Sequence, residues 1–282
     1  MSMQLSAHIQ SKLGSLLANT GDMALKRRAG RIIEELNPRD GDKILEVGCG
    51  DGFYLHILSN LGLKLKLNGV DIDGNALKSA KRNLKGKKIE LGEADLMKKT
   101  PFEKESFDKI IMSEVAEHLP DDVKGLQEVR KVLKKGGILV LTVPNYNFPF
   151  LWDPVNWVLQ NFFGTHIKKG FWAGIWNQHR RLYKPLQIKK VVEKAGFSVE
   201  KYEPLTFWSL PFNHNLLHFA AIKLYGGGLS GSMVSAISKF EKKSQKPFLI
   251  DTAFKIVNVI DRLNDLWKPK NSGVAVLVKA RK

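Results

Sequence analysis

Ile44-Leu45-Glu46-Val47-Gly48-Cys49-Gly50-Asp51-Gly52 carries a short apolar strand straight into glycines at alternate positions, with the acid Glu46 standing two residues before the first. Glycine lets a backbone turn sharply and approach a ligand closely, and the helix expected from Phe53 to Leu61 points its amide-rich N-terminus at the same spot. The turn therefore predicts a nucleotide-like ligand. A second apolar run, Leu65 to Val70, finishes in Asp71-Ile72-Asp73. An acid closing the second strand about 20 residues after such a turn grips a ribose hydroxyl pair in doubly wound nucleotide-binding folds. The order of glycines departs from the dinucleotide fingerprint, because the third follows the second by two residues rather than three. No phosphate-reading Lys-Ser or Lys-Thr comes after it.

Outward from this turn, strands are expected at Lys43 to Val47, Lys66 to Asp71, Lys88 to Gly92, Phe107 to Met112 and Ile138 to Val143, with helical periods between them. The run after Pro120 places Val123, Leu126, Val129 and Leu133 on one face, opens with Asp121 and Asp122, and is expected to end at Gly136-Gly137. Such alternation gives an α/β fold with a parallel sheet covered on both sides. Ligands of these sheets bind beyond the carboxyl ends of the strands, where Gly48, Asp71, Asp95 and Ser113 would collect.

ILEVGCGDG (44–52), GVDIDGNAL (69–77), EADLMKKTPFEKESFDKIIMSEVAEHL (93–119) and LKKGGILVLTVPN (133–145) resemble the successive motifs of class I S-adenosylmethionine-dependent methyltransferases. A weaker fifth stretch, HRRLYKPLQIKKVVEKAGFSVEKY (179–202), extends the likeness. Within that superfamily the chain is most similar to the small-molecule branch that includes ubiquinone-biosynthesis O-methyltransferases. The resemblance implies a Rossmann-like seven-stranded sheet, mostly parallel with an antiparallel last strand, and S-adenosylmethionine as cofactor. It further implies that Glu46 reaches the methionine amino end, that Gly48, Cys49 and Gly50 pass under the cofactor, and that Asp71, followed by Ile72, holds the ribose. Asp95 with Leu96 matches the adenine contact, and Ser113 falls where the fourth strand passes the sulfonium. On the acceptor side, His179 in Gln178-His179-Arg180-Arg181 matches a family histidine that serves as base or acceptor ligand. His118 in Glu114-Val115-Ala116-Glu117-His118 is a second candidate, with a loop-shaping role as its alternative.

Composition narrows the setting. The only cysteine, Cys49, excludes an internal disulfide framework and any cysteine-cluster metal site, and no basic-then-apolar leader opens the sequence, so a reduced, cytoplasmic setting is expected. The spacing of Glu114, Glu117 and Asp153 does not argue for magnesium, and no metal is expected. Of the net charge of +17, only +4 falls within residues 1–150, and +13 falls after them. All six tryptophans, Trp152, Trp157, Trp172, Trp176, Trp208 and Trp267, also lie in that later half.

The chain divides accordingly into an N-terminal helical segment (1–40), a cofactor-binding core (41–145), an acceptor-side region with the sixth strand (146–204), a basic and aromatic insertion (205–272) and the last strand (273–282). Pro185 to Ala195 reads as a helix stopped by Gly196, and Phe197 to Leu205 and Gly273 to Ala280 read as the last two strands. The 67 residues between those strands exceed any hairpin need and imply structure of their own. Leu205 to Ile222 is uncharged but broken by Pro211, Asn213, His214, Asn215 and His218, so a membrane-spanning helix is a poor fit. Phe248 to Trp267 reads as an amphipathic helix, with Asp251, Lys255, Asn258, Arg262 and Asp265 on one side and Leu249, Ala253, Ile256, Ile260 and Leu263 on the other. A lid on the sheet and a surface resting on an anionic membrane both fit this insertion, and a lid opening toward a bilayer would admit a lipid or isoprenoid-like acceptor. RNA methylation is the competing expectation, because a pI near 9.8 suits phosphate binding. A non-catalytic binding module is the third.

Overall fold

The computed structural model describes residues 5–18, 20–208, 239–240, 258–259, 261–266 and 269–282. Strands β1 (Lys43–Val47), β2 (Lys66–Asp71), β3 (Ile89–Glu93), β4 (Phe107–Ser113), β5 (Leu133–Pro144), β6 (Ser198–Leu205) and β7 (Ala275–Arg281) form one seven-stranded sheet in the order β3-β2-β1-β4-β5-β7-β6. Pairings from β3 through β5 are parallel, whereas β7 runs antiparallel to both β5 and β6. The expected Rossmann-like architecture is therefore present. The order reverses between β1 and β4, which opens the crevice at the carboxyl ends of these two strands.

Period-two alternation along β1 feeds two cores. Ile44 packs on one side with Ile32, Ile33, Leu55 and Leu58, while Leu45 and Val47 pack on the other with Leu126, Val129, Ile188 and Val192. The first core is covered by α1 (Ala7–Leu17), α2 (Met23–Leu36), α3 (Phe53–Asn60) and α4 (Gly74–Asn83), the second by α5 (Asp122–Val132) and α7 (Pro185–Lys194). Burying each such Leu, Ile or Val contributes roughly 1.5–3 kcal/mol. Acids start the helices: Asp22, Asp73 and Asp121 each accept a backbone N–H from the first turn of α2, α4 and α5.

One sequence expectation is corrected. Helix α5 stops at Val132 rather than at Gly136-Gly137, and Leu133 already pairs with Phe107 at the start of β5. The register then jumps to Ile138 opposite Lys109, so the two glycines occupy an irregular bulge inside the strand, with Gly136 at φ +74°. The insertion is described only in part. Most of its uncharged stretch and of the helix expected from Phe248 to Trp267 lie outside the described residues. Its described end includes a helical turn, Leu263–Leu266, which docks through polar groups: Arg27 of α2 pairs with Asp261 and Asp265, and Asn264 accepts the N–H groups of Phe207 and Trp208. Leu263 and Leu266 are exposed because these anchors, not an apolar stripe, set the rotation of the turn. Among the described residues no helix is long and apolar enough to cross a membrane.

Candidate active site

The glycine turn is fixed from beneath by strand β2. Val70 O accepts the N–H groups of both Gly48 and Cys49, at 2.8 and 2.9 Å. A side chain at Gly48, whose φ is +69°, would meet Val115 Cγ2 at 2.3 Å, so only glycine fits there. Above Gly50, at φ +52°, nothing lies within 4 Å of the place a Cβ would take. Gly52 starts α3 without a side-chain cap of its own, so the first-turn amides of Phe53 and Tyr54 are not capped by that residue.

Acids ring the turn. Asp71 Oδ2 accepts the Gly50 N–H at 2.7 Å, and its Oδ1 accepts the Asp73 N–H at 2.9 Å, so the carboxylate is held at the strand end with lone pairs to spare. Ile72 beside it is 64% exposed, an apolar surface for a flat ring. Glu46 is buried, and Leu55 N–H donates to its Oε2 at 3.2 Å. Burial drives the Glu46 carboxyl well above the usual carboxylate range, against the pull of that one bond. Burial, then Glu46 and Asp71, likewise push the Cys49 thiol far up, so Cys49 is a protonated packing residue whose backbone alone faces the crevice. Asp95 accepts the Met97 N–H at 2.8 Å, while the Leu96 side chain turns into the second core. Ser113 Oγ lies 3.0 Å from both Tyr54 Oη and Thr142 Oγ1, an unbroken run of hydroxyls across the end of β4.

The acceptor side is organised by Asp153. It caps α6 (Pro154–Phe163), and its Oδ2 accepts the Ile175 N–H at 3.1 Å inside the 3-10 segment Phe171–Trp176. Gly174 makes this approach feasible, since a Cβ there would fall 1.9 Å from Asp153 Oδ2. Ile175 O in turn holds His179 Nδ1 at 2.5 Å, and Gln178 O holds His118 Nδ1 at 3.2 Å. The two imidazole rings sit with centroids 5.0 Å apart. Burial and then His179 lower the pKa of His118, which favours its neutral form. Each Nε2 lies 3.8 Å from Glu117 Oε1. Glu117 is fully buried, and burial followed by Glu114 raises its carboxyl well above the usual range. Arg181 braces α5 through Asp122, Leu119 O and Pro120 O, whereas Arg180 stays exposed.

Sequence reading missed Arg28. From α2 it reaches Glu114 at 3.0 Å, and Glu114, Tyr54 and Asp22 outweigh the burial that opposes its charge. Its Nε and Glu114 Oε1 are buried without hydrogen-bond partners, beside the hydroxyl run. No motif flags an arginine on a separate helix ahead of the glycine turn. Glu117 was also underrated, although its place beside His118 was visible.

Known proteins are similar to this chain in sequence and fold. Residues 45–141 match the family described as methyltransferase domain. A demethylmenaquinone methyltransferase of Staphylococcus aureus is 32% identical over 59% of this chain and 72% of its own length. An uncharacterised protein of Methanocaldococcus jannaschii, also 32% identical, is matched over 57% of this chain and 62% of its own length. A ubiquinone biosynthesis O-methyltransferase of Thiobacillus denitrificans is 26% identical over 62% and 75%. The solved structure of a putative methyltransferase of Bacillus halodurans shares the fold, with a TM-score of 0.52, 22% identity and coverage of 90% of this chain and 98% of that one. This chain belongs to the class I S-adenosylmethionine-dependent methyltransferases, and its cofactor is S-adenosylmethionine.

Proposed function

We propose that the chain methylates a small, largely apolar acceptor of the quinone or isoprenoid type. The observation that carries this reading is the apolar cluster of Phe148, Ile175, Trp176 and Leu182, from which Ile175 O holds His179 Nδ1. The names of the Staphylococcus and Thiobacillus relatives support the same acceptor class.

The residues present suit a nucleoside with a charged amino-acid tail. Space over Gly50 and the α3 amides would take the donor's backbone, Asp71 its ribose hydroxyls, and Ile72 with the Asp95–Leu96 backbone its adenine. Glu46 suits an ammonium and the unpaired Arg28 Nε a carboxylate, which would relieve two buried groups at once. S-adenosylmethionine supplies an already activated methyl group on its sulfonium. The chain then has to hold the acceptor in line and exclude water. His179, anchored through Nδ1, would take a hydroxyl proton at Nε2, with His118 beside it.

The insertion (205–272) acts in this reading as a lid that opens toward an anionic membrane. Phe162, Phe163 and Trp172 are exposed near Lys168 and Lys169, a combination suited to a headgroup layer, where each basic residue contributes about 1 kcal/mol. The test measures turnover with S-adenosylmethionine and a short-chain quinol, and binding with the demethylated donor. His179→Ala should cut turnover about 100-fold or more while leaving calorimetric binding of the demethylated donor within about twofold. Full turnover by that variant defeats the base assignment. Methylation of RNA and of no quinol defeats the acceptor class.

A further inference from the structure

We propose that Glu117, His118 and His179 form a binding site for a divalent transition-metal cation of the zinc or iron(II) type. Their ligand atoms all lie within 4.8 Å of one another. Both Nδ1 atoms face backbone carbonyls, which only accept, so each Nδ1 donates and Nε2 is the ring atom left to face Glu117. A carbonyl behind each imidazole is the usual support of a metal-ligating histidine.

Glu117 supplies the second, independent observation. It is 0% exposed, and neither carboxylate oxygen has a hydrogen-bond partner. The nearby cation, Arg28, is turned to Glu114 instead. A buried carboxyl with both oxygens unsatisfied costs a fold several kcal/mol on the usual scale. A cation between Glu117 and the two Nε2 atoms removes that cost.

Geometry and chemistry agree on the class of ion. Two imidazoles and one carboxylate suit zinc, iron(II) or manganese better than magnesium or calcium, which prefer oxygen donors. Tetrahedral ligands at about 2.0–2.1 Å from zinc stand about 3.3 Å apart. The two Glu117–Nε2 separations of 3.8 Å, with all three ligand atoms within 4.8 Å of one another, need a modest closure, in which the exposed His118 ring would move. Three protein ligands leave a coordination position for water or for an acceptor oxygen. That the open position faces an acceptor rests on the function proposed above, whereas cation binding itself does not.

The experiment titrates zinc and cobalt(II) into tag-free, chelator-stripped full-length protein by calorimetry, with the demethylated donor titrated in parallel. Expected are one cation per chain at micromolar affinity or tighter and, for cobalt, the strong visible bands of a low-coordinate site. Glu117→Gln and His118→Ala should each weaken binding at least about tenfold. Because His118 is exposed on a surface turn, its variant keeps the test valid even if Glu117→Gln folds poorly. Wild-type protein that binds the demethylated donor but neither cation overturns the metal site and leaves the methyltransferase reading standing. Equal cation affinity in wild type and His118→Ala also overturns it. Protein that binds the cation but ignores the donor upholds the metal site and sinks the proposed function instead.

Discussion

Glu46 sits where a charge is least welcome, buried at the end of β1 with a single N–H donor. Its raised pKa sets the sign of a pH effect. A carboxyl whose folded pKa exceeds its unfolded value stabilises the fold fully below the unfolded value and loses that contribution as pH rises toward the folded one. Ligand-free protein should therefore lose stability from pH 5 upward, and Glu46→Gln should flatten this trend and raise the melting temperature at pH 8. The same variant should weaken binding of the donor about tenfold or more, since a charge-assisted contact is lost. Melting curves across pH and calorimetry check the pair. Glycines give a contrast. Gly48→Ala meets both a positive φ and Val115, so it should destabilise the fold by about 2–3 kcal/mol in urea melts. Gly50→Ala meets only the positive φ, about 1 kcal/mol, but its methyl enters the open space and should cost donor affinity more than stability. At this scale the turn was legible because glycine spacing and strand-end acids are local in sequence. Arg28 and Glu117 were not, because their meaning depends on unpaired atoms that only packing creates.

Among the elements, the strands announced themselves. The expected bounds of β1 and β2 match the observed ones, since positions buried on both faces leave little room for another register. The start of β5 was hidden, because Lys134-Lys135-Gly136-Gly137 has no apolar alternation and pairs only around a bulge. The 3-10 segment Phe171–Trp176 was equally silent. Its geometry comes from Asp153 crossing over Gly174, a contact between side chain and backbone 21 positions apart in sequence. Gly174→Ala should push that carboxylate away, release Ile175 and unseat His179. Turnover is expected to fall about 100-fold with donor affinity unchanged. A matching loss of donor affinity in calorimetry would place the segment on the wrong side of the site.

For the whole molecule, the reversal of strand order explains why residues from β1, β2 and β4 and the loops after them meet at one crevice. Charge asymmetry and the exposed aromatic end of α6 bear on where the molecule works. Flotation with vesicles of anionic lipid should carry the protein upward at low salt and less so at high salt. Phe162→Ser with Phe163→Ser should reduce flotation, and protein that stays wholly at the bottom with anionic vesicles refutes the membrane reading. The fold was readable over the first half, where motifs and elements coincide, and again at α7, β6 and β7. For residues 146–184 composition gave a surface character without a shape.

Neighbouring arginines on α2 hold opposite correspondents: Arg27 grips the end of the insertion, and Arg28 grips the loop after β4. One helix turn thus spans the molecule's most and least recognisable parts. A protein trimmed to begin at Asp42 would keep every motif by which its family is known, yet it would lose the helix that links Asp261 and Asp265 to the loop after β4. Motif-based trimming of such enzymes for expression would discard the very strut that lets them work as a unit.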